Sequence, residues 1–98
     1  MIGKEPTERA WQLTVVTAAK HLGYMVYHTE VSIRSVKGFP DLVLAGRGQV
    51  VFAELKTTRG RVSPEQKEWL GWLRQNGAKA YLWFPADWPE VETVLRNQ

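Results

Sequence analysis

Two apolar runs, Asp41-Leu42-Val43-Leu44-Ala45 and Val50-Val51-Phe52-Ala53-Glu54-Leu55-Lys56, stand on either side of Gly46-Arg47-Gly48-Gln49. So short a glycine-bearing connector closes two strands as an antiparallel hairpin, because a parallel return needs a crossover of a dozen or more residues. Whether the turn is counted as two residues or four, the register is the same, and it sets Asp41 opposite Glu54. Opposed residues share a face, with Cβ atoms about 4.5 to 5.5 Å apart. Lys56, two positions past Glu54, falls on that face as well. Both runs are apolar on both faces until their ends, which predicts central strands covered on both sides.

Two carboxylates about 5 Å apart repel by roughly 3 kcal/mol at an effective dielectric near 20, a substantial fraction of a small domain's net stability. Folding alone would not select that pair. A divalent cation between them would remove the repulsion, and oxygen ligands suit Mg²⁺ or Mn²⁺. Such a cation acidifies water and neutralises charge on a phosphate, while a neighbouring lysine orients or deprotonates the water. The competing structural role is a surface salt-bridge cluster in which Lys56 merely neutralises the two acids.

The remaining chain supplies the elements around this hairpin. Pro6-Thr7-Glu8 is a helix start, Ala10, Trp11, Val15, Ala18 and Leu22 form a stripe behind it, and Gly23 is the stop. Tyr24 to Thr29 reads as a strand, and Glu30 to Phe39, polar and basic before Pro40, as a strand end and loop. Ser63-Pro64-Glu65-Gln66 combines an N-cap serine, a proline at the first helical position and a capping-box glutamine, and Asn76-Gly77 ends that helix. Ala80 to Phe84 is a fourth strand stopped by Pro85, after which Asp87 caps a last helix reaching about Arg96. The order α-β-β-β-α-β-α predicts an α/β fold, a mixed central sheet flanked by helices, with the second helix as a crossover.

A chain of 98 residues leaves room for one domain spanning 1–98. It lacks cysteine, and His21 and His28 lack metal-site spacing, so a disulfide framework and a thiolate zinc site are excluded. No stretch approaches the roughly 18 apolar residues of a membrane span, and a cytosolic protein, with no membrane partner, is the default expectation. Six of the 13 basic residues lie between Arg34 and Arg61, where the only acids are Asp41 and Glu54. That distribution suits a polyanion, with Arg34, Lys37, Arg59 and Arg61 placed for phosphate contacts, although a solvated basic surface would carry the same charges. Five Trp, three Tyr and three Phe exceed what a small core usually absorbs, and a second subunit could cover the excess.

Gly38-Phe39-Pro40-Asp41, followed by Glu54-Leu55-Lys56, resembles the PD-(D/E)XK nuclease signature. With Gln66 in the capped helix and the surrounding topology, the chain is similar to the VRR-NUC family, the virus-type replication and repair nucleases, from Glu8 to about Phe84. The resemblance implies a restriction-endonuclease-like αβββαβ core that hydrolyses DNA with Mg²⁺ or Mn²⁺. Asp41 and Glu54 would be metal ligands, the main-chain carbonyl of Leu55 would complete the shell, Lys56 would be the catalytic lysine, and Gln66 would join the site. It also implies a homodimer acting on branched DNA such as four-way (Holliday) junctions.

Glu8 continues the helical stripe and is expected to point toward the sheet, where a helix-1 acid would serve the metal's water shell; its ordinary role would be to favour a helix N-terminus. Gln66 is expected either to close the capping box or to face the active site, a single side-chain oxygen being unable to do both. Trp69, Trp72, Trp83 and Trp88 are expected in the core or a subunit interface, and His28 at the surface. Two rival functions stand beside the nuclease: a non-catalytic nucleic-acid-binding subunit, and a sequence-specific restriction-type enzyme, for whose recognition loops little chain is left.

Overall fold

The computed structural model, which describes residues 5–30 and 36–98, forms the hairpin in the predicted register. Arg47 and Gly48 have φ of 48° and 79°, the paired left-handed conformations of a tight two-residue turn that matches strand twist. The strands therefore run one residue closer to the turn than expected, as β2 (Leu42–Gly46) and β3 (Gln49–Leu55). Asp41 and Lys56 stand immediately outside them.

Around the hairpin lie α1 (Glu8–His21), β1 (Met25–His28), α2 (Pro64–Gln75), β4 (Lys79–Trp83), a 3-10 turn (Pro85–Asp87) and α3 (Trp88–Arg96). The sheet order is β1-β2-β3-β4. The first two pairings are antiparallel, and β3–β4 is parallel through the α2 crossover, so the sheet is mixed as the element order requires. No helix of the described residues is long and apolar enough to cross a membrane.

Alternation along the strands sends Leu42, Leu44, Val51, Ala53, Leu55 and Trp83 to one face, where they are buried against Trp11, Val15, Val16 and Ala19 of α1 and Val91 and Leu95 of α3. The buried stripe of α1 is shifted from the one read from sequence: it takes in Val16 and Ala19, keeps Ala18 and Leu22 at its margin and leaves Ala10 exposed. Two long-range bonds fix these helices on the sheet: Trp11 Nε1 donates to the Trp83 carbonyl at 3.0 Å, and Tyr24 Oη to the Leu95 carbonyl at 2.6 Å.

The opposite face carries α2, whose Trp69 meets Phe39, which in turn meets Phe52 edge-on. One helix does not span four strands. The cross-strand pair Ala45 and Val50 near the turn is exposed, and Met25 and Tyr27 of β1 are 79% and 59% exposed, so the expected double coverage of β2 and β3 fails toward the turn and holds toward their other end. A second departure concerns Asp87, which does not cap α3; its Oδ2 accepts the Phe84 N–H at 2.9 Å across the 3-10 turn. Pro85 closes that turn before the helix starts, and it takes the carboxylate with it.

Candidate active site

Each acid is held by an element that the sequence punctuates sharply. Asp41 ends the loop into β2. Its Oδ2 accepts the Leu55 N–H at 3.0 Å, so the side chain extends the β2–β3 ladder one rung beyond the strand end. From the other side, Thr29 N–H donates to the Asp41 carbonyl at 2.8 Å and Thr29 Oγ1 to the Pro40 carbonyl at 2.5 Å.

Gly38 sets the approach to this pair. Its φ is +92°, and a Cβ there would lie 2.5 Å from the carbonyl carbon of Glu65 in the first turn of α2. Left-handed backbone and close contact both demand glycine. Gly38→Ala is expected to cost roughly 2 to 4 kcal/mol, combining backbone strain with overpacking, and a urea melt measures it. A loss below about 0.5 kcal/mol would show that α2 yields without strain.

Glu54 is the penultimate residue of β3 and only 1% exposed. Its Oε2 receives Gln66 Nε2 at 2.8 Å and has Lys56 Nζ at 3.8 Å, while its Oε1 is buried with no hydrogen-bond partner. Burial first, and then the charge of Asp41, push its pKa up to about 8, against the opposing pull of Lys56. Asp41, Glu54 and Lys56 therefore come together as the register demands.

Gln66 is shared between two tasks that the sequence set against each other. Its N–H donates to Ser63 Oγ at 3.1 Å and its Oε1 accepts the Ser63 N–H at 2.8 Å, completing the capping box. The amide nitrogen remains free for Glu54. An amide has a donor end as well as an acceptor end, and the expected conflict disappears.

The Glu54 carboxylate, whose Oε1 has no hydrogen-bond partner among the described residues, and the Asp41 carboxylate whose charge acts on it supply hard oxygen donors, which suit Mg²⁺ or Mn²⁺. Among the described residues no three His, Cys, Asp or Glu side chains gather in one group. A cation here would thus take two carboxylates from side chains and fill its shell from main chain, water or substrate.

The other candidates are more dispersed. Glu8, the first residue of α1, is exposed rather than buried with the helical stripe, and its Oε1 lies beside Gly60, which the Lys56 side chain also approaches. Leu55 buries its side chain in the core and gives its N–H to Asp41. Lys37, Arg59 and Arg61 are exposed, and Arg34 lies outside the described residues. Trp83 is buried, Trp88 packs edge-on against Trp11, Trp69 is half-buried on Phe39, and Trp72 is 60% exposed, whereas His28 is on the surface as expected.

Glu5 was missed by sequence reasoning. Its carboxylate accepts the Thr58 N–H at 2.6 Å and the Thr58 hydroxyl, pinning the turn that follows Lys56, and these bonds lower its pKa. A contact between residues so far apart in sequence leaves no local pattern to find.

The model of the VRR-NUC domain matches residues 4–83. The chain belongs to the VRR-NUC domain family. Among solved structures, one described as a VRR_NUC domain protein superposes with a TM-score of 0.72 at 22% identity, over 93% of this chain and 87% of that one. A second, described as a VRR_NUC domain, has a TM-score of 0.72 at 25% identity over 92% and 96%. The Holliday junction resolvase Hjc of Archaeoglobus fulgidus has a TM-score of 0.57 at 20% identity over 79% and 69%. No curated protein matches significantly. This VRR-NUC chain therefore has the nuclease fold, and the motif residues Asp41, Glu54, Lys56 and Gln66 all fall within the matched span.

Proposed function

We propose that this VRR-NUC domain is a metal-dependent, structure-selective DNA endonuclease that uses Mg²⁺ or Mn²⁺, works as a homodimer, and cuts branched DNA such as four-way junctions. The observation that carries the reading is the buried Glu54 carboxylate, whose Oε1 has no hydrogen-bond partner among the described residues, grouped with Asp41 and Lys56. A protein that only bound DNA would gain by losing two anions next to phosphate.

Asp41, Glu54 and the main chain at Leu55 would hold the cation. When bound, it neutralises charge developing on the scissile phosphate and acidifies water. Gln66 fixes Glu54 in one orientation, and Lys56 stands ready to orient the attacking water. The oxygen of the attacking water forms a bond to phosphorus as the bond to the leaving oxygen breaks, the water gives up one proton, and the leaving oxygen takes one from solvent, without a covalent enzyme intermediate. The exposed Lys37, Arg59 and Arg61 would contact the flanking phosphates, and Glu8 borders the approach over the turn after Lys56.

Met25, Tyr27 and Val50 leave an apolar sheet face that suits a second copy, and two-fold sites would match the two strands cut at a symmetric junction. The test is cleavage of an end-labelled four-way junction beside linear duplex, single-strand and flap controls, with Mg²⁺, Mn²⁺ or EDTA. Junction-selective cutting that EDTA stops is expected. Tight binding with no cutting in either metal would overturn the proposal.

Gln66→Ala is expected to lower the cleavage rate about 10- to 100-fold, the usual effect of losing the group that orients a ligand. It should also cost about 1 kcal/mol of stability through the lost cap. A rate unchanged beside the expected loss in a urea melt would confine Gln66 to capping.

A further inference from the structure

Arg9, Leu13, Val16 and Lys20 follow one another at helical spacing along α1, and together with Thr7, Gln12 and His28 they line a groove of about 570 Å³ beside the edge strand β1. No carboxylate lines it. Neither Arg9 nor Lys20 has an ion pair or hydrogen-bonded partner among the described residues, although α1 and its surroundings offer acids elsewhere. Both cations are exposed, and Leu13 between them is 66% exposed.

Unneutralised cations at both ends of a groove without acids select for a polyanion. Arg9 and Lys20 are eleven residues apart, about 16 Å along the helix. That length corresponds to roughly five phosphate steps on one strand of duplex DNA.

Position matters as much as charge. Thr7 lines this groove and also the cleft formed by Glu5, Pro6, Glu8, Thr57, Thr58 and Arg59, which borders the turn after Lys56. A backbone leaving the catalytic end can therefore enter the groove without crossing acidic surface other than Glu5 and Glu8. A second copy of the chain fits less well, because two-fold pairing here would set Arg9 and Lys20 against like charges.

We propose that the α1–β1 groove holds the phosphodiester backbone of a DNA arm outside the cleavage site, with Arg9 and Lys20 on the phosphates and Gln12 and His28 as polar walls. The proposal deepens the nuclease reading and rests on it for the location of the cut.

The test is equilibrium binding of a fluorescent four-way junction to the full chain in EDTA, over a range of salt. Wild type is compared with R9A/K20A and with K79A/R96A, an equal charge loss away from the groove. Alanine at exposed helical positions preserves α1, and thermal melts confirm it. For R9A/K20A the expected result is about a tenfold loss of junction affinity and a log–log salt slope reduced by about two. The control variant should change little.

An unchanged slope, an equal loss in both variants, or a loss accompanied by dissociation of a dimer would overturn the groove. Because binding is read without metal, wild type that binds but never cuts removes the nuclease reading alone. Wild type that cuts while R9A/K20A binds normally removes the groove alone.

Discussion

Asp41→Asn and Glu54→Gln are each expected to slow single-turnover cleavage of a four-way junction by about a thousandfold or more. That factor corresponds to about 4 kcal/mol of transition-state stabilisation, within the range a bound cation supplies to a phosphoryl oxygen. Junction affinity should stay level or rise, because each variant removes an anion near phosphate. The amide substitutions keep the local hydrogen bonds while removing charge. In Asp41→Asn the side-chain oxygen can still accept the Leu55 N–H, whereas Asp41→Ala would strand that donor at a further cost of about 1 to 3 kcal/mol and confuse folding with chemistry. A rate within tenfold of wild type in both variants would remove them from the machinery.

The metal-free protein should lose stability as pH rises from about 5 to about 8. Glu54 has its pKa raised from 4.5 to about 8 in the folded chain, so across that window the folded state binds the extra proton and the unfolded state does not. Stability is therefore full below the unfolded value, falls through the window, and levels off above the folded value. The total is a few kcal/mol, large against the stability of a 98-residue chain. Glu5, whose pKa is lowered by Thr58, acts at more acidic pH and in the opposite sense, and it is fully exposed. Urea midpoints in EDTA at pH 5 and pH 8 measure the effect, and Glu54→Gln should flatten the difference. Equal midpoints in wild type, or a rise toward pH 8, would mean that Glu54 ionises in the folded protein without penalty.

Much of this site is legible in the sequence because its parts are local or symmetric. The tight Gly46–Gln49 connector sets the register, and the register alone puts Asp41 across from Glu54 with Lys56 beside them. Likewise Ser63-Pro64-Glu65-Gln66 announces its own helix start and its own cap. The second role of Gln66 is harder to see, since it depends on how far α2 leans over β3, which is decided by the Gly38–Glu65 contact and the Phe39–Trp69 packing. Helical periodicity places Glu8 on the buried stripe, yet as the first residue of α1 it has no preceding turn to cover it and is exposed beside Gly60. The open β1–β2 face escapes for a similar reason: apolar residues on both sides of a strand state what could be covered, and the number of helices decides what is. Glu5 with Thr58, and Thr29 with Pro40, are tertiary bonds without a sequence pattern.

If Asp41 and Glu54 together seat a divalent cation, calorimetric titration of the full chain with Mn²⁺ at pH 8, alongside Glu54→Gln, will detect it. Binding by wild type that is abolished in the variant, with a rise in melting temperature confined to wild type, is the expected outcome. Absence of binding in wild type, or equal binding in both proteins, would show that the two carboxylates hold no metal.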